Sequence, residues 1–394
     1  MVGVNDASIA YPIDPSGQRR APILYRKAVL IPRHLRVGRW SLTAVLTANT
    51  ARNWAGWRMV FDGGPEPGYG GPVDDVEISI GQSEGRAAPM ITLSGPDDMC
   101  VINEGLAYPD PANLATSQGA QAYDVRTGVG STVVLAYIAR NVGHLAIPSR
   151  VTPAFNTNIA DPLVGGTVSG KARFAPLLEE IVRPLAEQAG IAVRVTSTTS
   201  GARTLRVASV VDRTSQARFS VGLGNLKQLT YKLTAPTATV VIGGGRGEET
   251  ARQFILQENA VQKAAWRRIE AFYDYRAASD VDSGVELTAG TAKRLADSAA
   301  VEQVDVVPVD TDRLRYGVDY RNGDKVLVEV GAGTGLLLPA PILETEITID
   351  RDPSRKLVTV IPKIGTLSVR SGVMARSNQQ VADLLLRVSR LERR

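Results

Sequence analysis

The chain has little of what most enzymes need for chemistry. Its 394 residues contain one cysteine, Cys100, and two histidines, His34 and His144. A single thiol excludes an internal disulfide framework and a multi-cysteine zinc site, and the residue reads as a small buried hydrophobe. The histidines form neither an HxxxH nor an HxH pair, so no metal site follows from them, and a serine–histidine–aspartate centre would have to use one of these two. Aromatic residues make up only 5% of the chain, so its cores rest on Val, Leu, Ile and Ala. No apolar run approaches the ~20 residues of a membrane span, and the first residues, MVGVNDASIAYPIDP, lack the basic start and apolar stretch of a signal peptide. The expectation is a protein that does not insert into membranes on its own.

What is present is the balance of a folded protein, 44% apolar and 22% charged, with length for two or three domains. The net charge of +5 is concentrated at the C-terminus. Residues 370–394 hold six arginines against Asp383 and Glu392, a surplus of four, which leaves +1 for the remainder. No Lys/Arg stripe interleaved with aromatics appears, so sequence-specific nucleic-acid binding is not expected.

Residues 1–165 read as mostly strand. Trp40, Leu42, Ala44 and Leu46 alternate with Ser41, Thr43 and Val45, and Val76, Ile78 and Ile80 with Glu77 and Ser79, the pattern of half-buried strands. Val133–Ile138 is a continuous apolar run, read as a strand covered on both faces. Residues 166–215 read as a small α/β insertion. Leu178, Ile181, Val182 and Leu185 give a helical stripe that Pro184 must kink or restart, Gly190 closes it, and Ile191–Val195 and Leu205–Val211 follow as strands. Residues 216–370 read as a second β-rich domain with a long helix over 248–273, whose buried stripe would include Val261, Ala265, Ile269 and Phe272. A second helix carries Ala292, Leu295, Ala296 and Ala299, and a hairpin turns at Asp350–Ser354. Residues 374–394 read as a coiled-coil helix: Val381, Leu384, Val388 and Leu391 fall at spacings 3, 4 and 3. Two heptads are too short to persist alone, so a seam shared between subunits is the expected oligomer interface, against the alternative of a helix packed on its own domain.

Three motifs invite chemical readings. Val240–Glu248, with four glycines, resembles a phosphate-cradling turn, but Glu248 breaks G-x-G-x-x-G and no Gly-Lys-Ser/Thr follows, so a structural strand-to-helix turn is expected. The acid pairs Asp74-Asp75 and Asp97-Asp98 are neighbours and cannot face each other across a sugar, so they read as turn residues. Trp54 and Trp57 suit core or interface packing, with a carbohydrate shelf as the alternative.

From Phe219 onward the residues fall into a recognisable series: Phe219–Leu226, Ala235–Glu248 with Arg252, Trp266–Glu270, Asp274–Arg276, and Tyr316–Val326. Over about residues 165–370 this series resembles the tail hub or minor tail proteins of siphoviruses infecting actinobacteria, which are similar to the baseplate hub of contractile-tailed phages. The resemblance implies an α+β, β-rich fold with two β-barrel-like hub domains. It implies a trimeric ring in the virion tail tip, assembled in the host cytoplasm. Such a ring matches a sixfold tube to a threefold tip and lines the DNA ejection channel. The implied partners are a distal tail or tube protein above, a tail-tip or spike protein below, and the tape measure protein; no cofactor, metal or catalytic residue is implied. A tail-associated cell-wall hydrolase is the alternative.

Overall fold

The computed structural model describes residues 8–80, 89–119, 121–247, 249–276, 283–308, 314–330, 337–351 and 357–365. The C-terminal seam of Val381, Leu384, Val388 and Leu391 lies outside these. The chain forms two compact units, Met1–Leu229 with Val306–Ile364, and one built on Thr230–Asp305.

In the first unit the alternation read from the sequence becomes one apolar sheet face. An eight-stranded sheet runs in the order Arg218–Phe219, Lys325–Glu329, Leu337–Asp350, Tyr25–Ile31, Arg39–Val45, Met90–Pro96 and Asp75–Ser79, with Val358–Ile364 also on Leu337–Asp350. Registers Leu30↔Trp40, Ala28↔Leu42, Leu42↔Leu93, Ala44↔Ile91 and Leu30↔Ile347 put these buried side chains on one face. A three-stranded antiparallel sheet, Ile9–Ile13, Arg58–Asp62 and Tyr69–Pro72, supplies Phe61, whose ring meets Trp40 edge-on at 5.8 Å. Burial of the two faces against each other is what holds the pair, at roughly 25 cal/mol per Å² of apolar surface removed from water.

A second core of the same unit is α/β. The π-helical turn Leu177–Val182 passes directly into the helix Arg183–Ala189, with Pro184 in its first turn and Gly190 closing it at φ 70°. Proline has no N–H to donate and crowds the carbonyl four residues back, and the wider π turn ahead of it accommodates the break in the ladder. The strands Ile191–Ser197 and Arg203–Ser209 pair antiparallel as expected. The expected strand at Val133–Ile138 is instead the helix Gly130–Asn141, buried nearly all round against the Leu177–Ala189 segment. A short apolar run has the same signature in a covered strand and in a core helix, and here tertiary burial overrides the β-branched pair Val133-Val134. Asp161 holds the start of that helix through side chains: the Ser131 hydroxyl donates to it at 2.6 Å and the Thr132 hydroxyl also donates. Burial alone would raise its pKa, but these bonds and the Leu163 N–H outweigh that and hold it low.

The second unit corrects the long helix expected over 248–273. That span contains a 3-10 turn at Glu249–Ala251, the strand Phe254–Glu258, the short helix Ala260–Ala265 and the strand Glu270–Asp274. Asn259 caps the short helix by accepting from the Gln262 N–H at 3.1 Å, which marks the break. Val261, placed in a buried stripe, is 79% exposed. Both strands flank Val240–Gly244, Phe254–Glu258 antiparallel and Glu270–Asp274 parallel, and the helix Ser283–Asp297 lies against the sheet. The second helix is therefore present with Ala292, Leu295 and Ala296 on it, but it ends at Asp297, before Ala299.

The expected barrels do not appear: among the described residues the largest sheet is open, ending at Arg218–Phe219 and Asp75–Ser79. No described helix is long and apolar enough to cross a membrane.

Candidate assembly surfaces

The residues with chemical potential turn out to hold the structure together. In the glycine motif Val240–Gly244 is itself a strand, and the next strand, Phe254–Glu258, pairs back on it in place of the expected long helix. A Cβ at Gly243 would lie 2.0 Å from Thr291 Oγ1, so the glycine admits the helix Ser283–Asp297 onto the sheet. On the opposite face, a Cβ at Gly244 would meet the guanidinium of Arg252 at 2.7 Å. Arg252 donates to the carbonyls of Gly244 and Gly245 at 3.0 and 3.1 Å and pairs with Asp274. Its charge lies 5.6 and 5.4 Å from the ring centres of Phe254 and Phe272. The space beside the glycines is thus filled by an arginine already neutralised by Asp274.

Asp97 and Asp98 do stand in a turn, but both are buried. Asp98 accepts from Arg58 at 2.5 Å and from Ser197. Asp97 accepts the Met99 N–H at 3.1 Å, and burial pushes its pKa up to about 7. Neither carboxylate is open to a substrate. Trp54 is buried and meets Trp57 edge-on at 5.3 Å, with Arg52 over both rings, which favours packing over a sugar shelf. Cys100 is a buried free thiol whose pKa burial raises, the inert residue expected. His34 is held neutral by burial and then by the Arg194 charge, its pKa lowered to about 4. The His144 Nδ1 pairs with Thr157 Oγ1 at 2.8 Å. Among the described residues no group of three His, Cys, Asp or Glu could hold a metal.

The motif residues read from the resemblance are also structural. Phe219 meets Tyr320 at 5.5 Å and Tyr320 meets Tyr316 at 5.7 Å, all buried. Asn322 donates to the Pro32 carbonyl at 2.7 Å and accepts from Thr345. The series Tyr316–Val326 thereby ties the N-terminal strands to the C-terminal ones.

What the folded chain leaves unfinished is apolar surface. Asp75–Ser79 is a strand, as expected, but it is exposed along its whole length and not half-buried. Val76 and Ile78 sit opposite buried Leu93 and Ile91, on the core face at the point where the core ends, and Ile78 is 51% exposed. Among the described residues nothing pairs with the outer edge of this strand, whose backbone groups can accept another chain. In the second unit, Phe254, Leu256 and Phe272 project from the sheet face away from the Gly243 side, Phe272 at 54% exposure. Reading 248–273 as a helix hid this face. The period-2 placing of Phe254 and Leu256, followed by Asn259 as a helix start, was the available signal.

The fold carrying these surfaces is known among phage tail proteins. The 43 kDa tail protein of prophage MuSo2 from Shewanella oneidensis superposes with a TM-score of 0.53 at 14% identity, covering 91% of this chain and 98% of that one. Prophage tail protein gp18 from Listeria monocytogenes gives 0.52 at 10% identity, covering 94% and 99%. A tail protein from Neisseria meningitidis gives 0.50 at 10%, covering 92% and 98%. No curated protein sequence matches the chain. The family model of the Siphovirus ReqiPepy6 Gp37-like proteins matches residues 13–366, nearly all of both units. The chain belongs to that family, and its fold is one shared with phage tail proteins.

Proposed function

We propose that the protein is the tail-tip hub subunit of a siphovirus infecting actinobacteria: a homotrimeric ring that adapts the sixfold tail tube to the threefold tip and lines the path of the ejected DNA. The observation that carries this reading is the family match from residue 13 to 366, joined to a tail-protein fold over more than nine tenths of the chain. The exposed edge Asp75–Ser79 and the face of Phe254, Leu256 and Phe272 support it, since apolar surface of this kind marks assembly contacts. In this reading a distal tail or tube protein sits above the ring, a spike or tip protein below, and the tape measure protein ends at it. The β-rich hub parts of this reading, 1–165 and 216–370 with 166–215 inserted, share strands of the eight-stranded sheet, and three chains would present six similar faces. Residues 374–394 form the threefold seam through Val381, Leu384, Val388 and Leu391.

The test is light scattering on the purified chain. Wild type is expected at three times 42.1 kDa, or as a monomer–trimer mixture, and Leu384→Asp combined with Leu391→Asp is expected as a monomer with its β content intact. Burying one such leucine is worth roughly 1.5–3 kcal/mol, so losing six per trimer decides the equilibrium. A double variant with the mass of wild type and normal tip attachment in assembled tails overturns the seam.

A further inference from the structure

The first unit also holds a cleft of about 440 Å³ that the assembly surfaces above do not use. Three arginines line it, Arg58, Arg150 and Arg203. Arg58 donates to Asp98, to Ser197 Oγ at 3.0 Å and to the Gly201 carbonyl at 2.9 Å. Arg150 lies 3.6 Å over the Tyr108 ring and donates to Asn141 and to the Leu106 carbonyl. Arg203 donates to the Pro153 carbonyl. Mostly neutral acceptors hold these guanidinium groups at the cleft, which therefore stays cationic; the Nε–H groups of Arg58 and Arg203 lack an acceptor but are buried beyond the cleft's reach.

The charge count points the same way. Asp98 offsets Arg58, and Glu104, exposed, is the one carboxylate in the lining. Burial and then the Arg58 charge lower the pKa of Arg203, against Asp98, Cys100 and Glu104, and burial lowers that of Arg150. Pro72, Val101, Leu106 and Val142 supply apolar wall. A bare polyanion gains nothing from that wall and is repelled by Glu104. A single carboxylate on an apolar stem uses both parts of the lining.

We propose that this cleft receives one carboxylate side chain, carried on an otherwise apolar protein segment of a neighbouring tail subunit. The identity of the partner rests on the tail-protein reading; the site itself does not.

The experiment is calorimetric titration of the full chain with hexanoate, hexanol and inorganic phosphate at matched ionic strength. Hexanoate is expected to bind saturably and to raise Tm, hexanol and phosphate not. Arg203→Met should weaken hexanoate about tenfold, the usual scale for one charge-assisted pair. Glu104→Gln, at an exposed position that folding does not need, should tighten it about threefold by removing the competing charge. Hexanoate binding no better than hexanol, phosphate binding better than hexanoate, or a Glu104→Gln variant indistinguishable from wild type overturns the proposal. Hexanoate binding by a protein that proves absent from tails would leave the site standing and remove only the partner.

Discussion

Asp97 shows how one buried group sets a pH response. Burial raises its pKa to about 7, Gly38, Met99 and Tyr69 oppose this through hydrogen bonds, and the Asp98 charge adds to it. The folded state therefore keeps a proton that the unfolded chain releases from about pH 4 upward. Stability falls as pH rises through the window from 3.8 to about 7 and is flat above it. His34 acts in the opposite sense: with its pKa depressed to about 4, the stability it contributes is lost as pH falls from 6.5 towards 4. Asp97→Asn keeps the acceptor for the Met99 N–H and cannot ionise. It should stabilise the protein at pH 8 by about 1–3 kcal/mol and leave it unchanged at pH 4, read by urea unfolding at both values. An equal effect at the two pH values would mean that Asp97 is not protonated in the fold. None of this was legible in the sequence. Asp97-Asp98 looks like a solvated turn until Arg58 and Ser197, far away along the chain, are brought beside it.

Among the elements, those whose burial is one-sided were legible and those enclosed on all sides were not. Arg39–Val45 buries alternate residues and reads as a strand on sight, as does the pairing of Leu337–Asp350 with Val358–Ile364. Gly130–Asn141 buries nearly its whole circumference, so periodicity carried no information about it. The span 248–273 failed for another reason: good helix formers fill it, while Arg252, the glycines and Asp274 assemble a sheet around a salt bridge only in three dimensions. The glycine at 243 is the sharpest test of that sheet. Gly243→Ala would press a methyl against Thr291 Oγ1, which donates to the Leu287 carbonyl at 2.7 Å. A cost of about 2–3 kcal/mol is expected, visible in calorimetry as a lower Tm. Adding Thr291→Ala should recover part of it, because the two changes share one contact. A double variant no better than the single would place the strain elsewhere.

At the scale of the whole molecule, the strand Leu337–Asp350 carries a consequence for biosynthesis. Its fourteen residues pair with Tyr25–Ile31, Lys325–Glu329 and Val358–Ile364, so the central sheet is unfinished until nearly the entire chain exists. Tyr25–Ile31 and its neighbours leave the ribosome with their long-range partner still roughly 300 residues from being made, about 15–60 s at ordinary elongation rates. During that delay the backbone edge of Tyr25–Ile31 that Leu337–Asp350 will pair with is left open. A chain ending at Val330 should therefore aggregate on expression, while one ending at Gly365, which retains the whole sheet, should stay soluble. The soluble fractions of the two truncations decide it: solubility of the shorter chain would mean that the N-terminal strands close on themselves. A chain built this way completes its sheet only after Val358–Ile364 is made, so a partner that recognises the finished sheet meets no half-made copies.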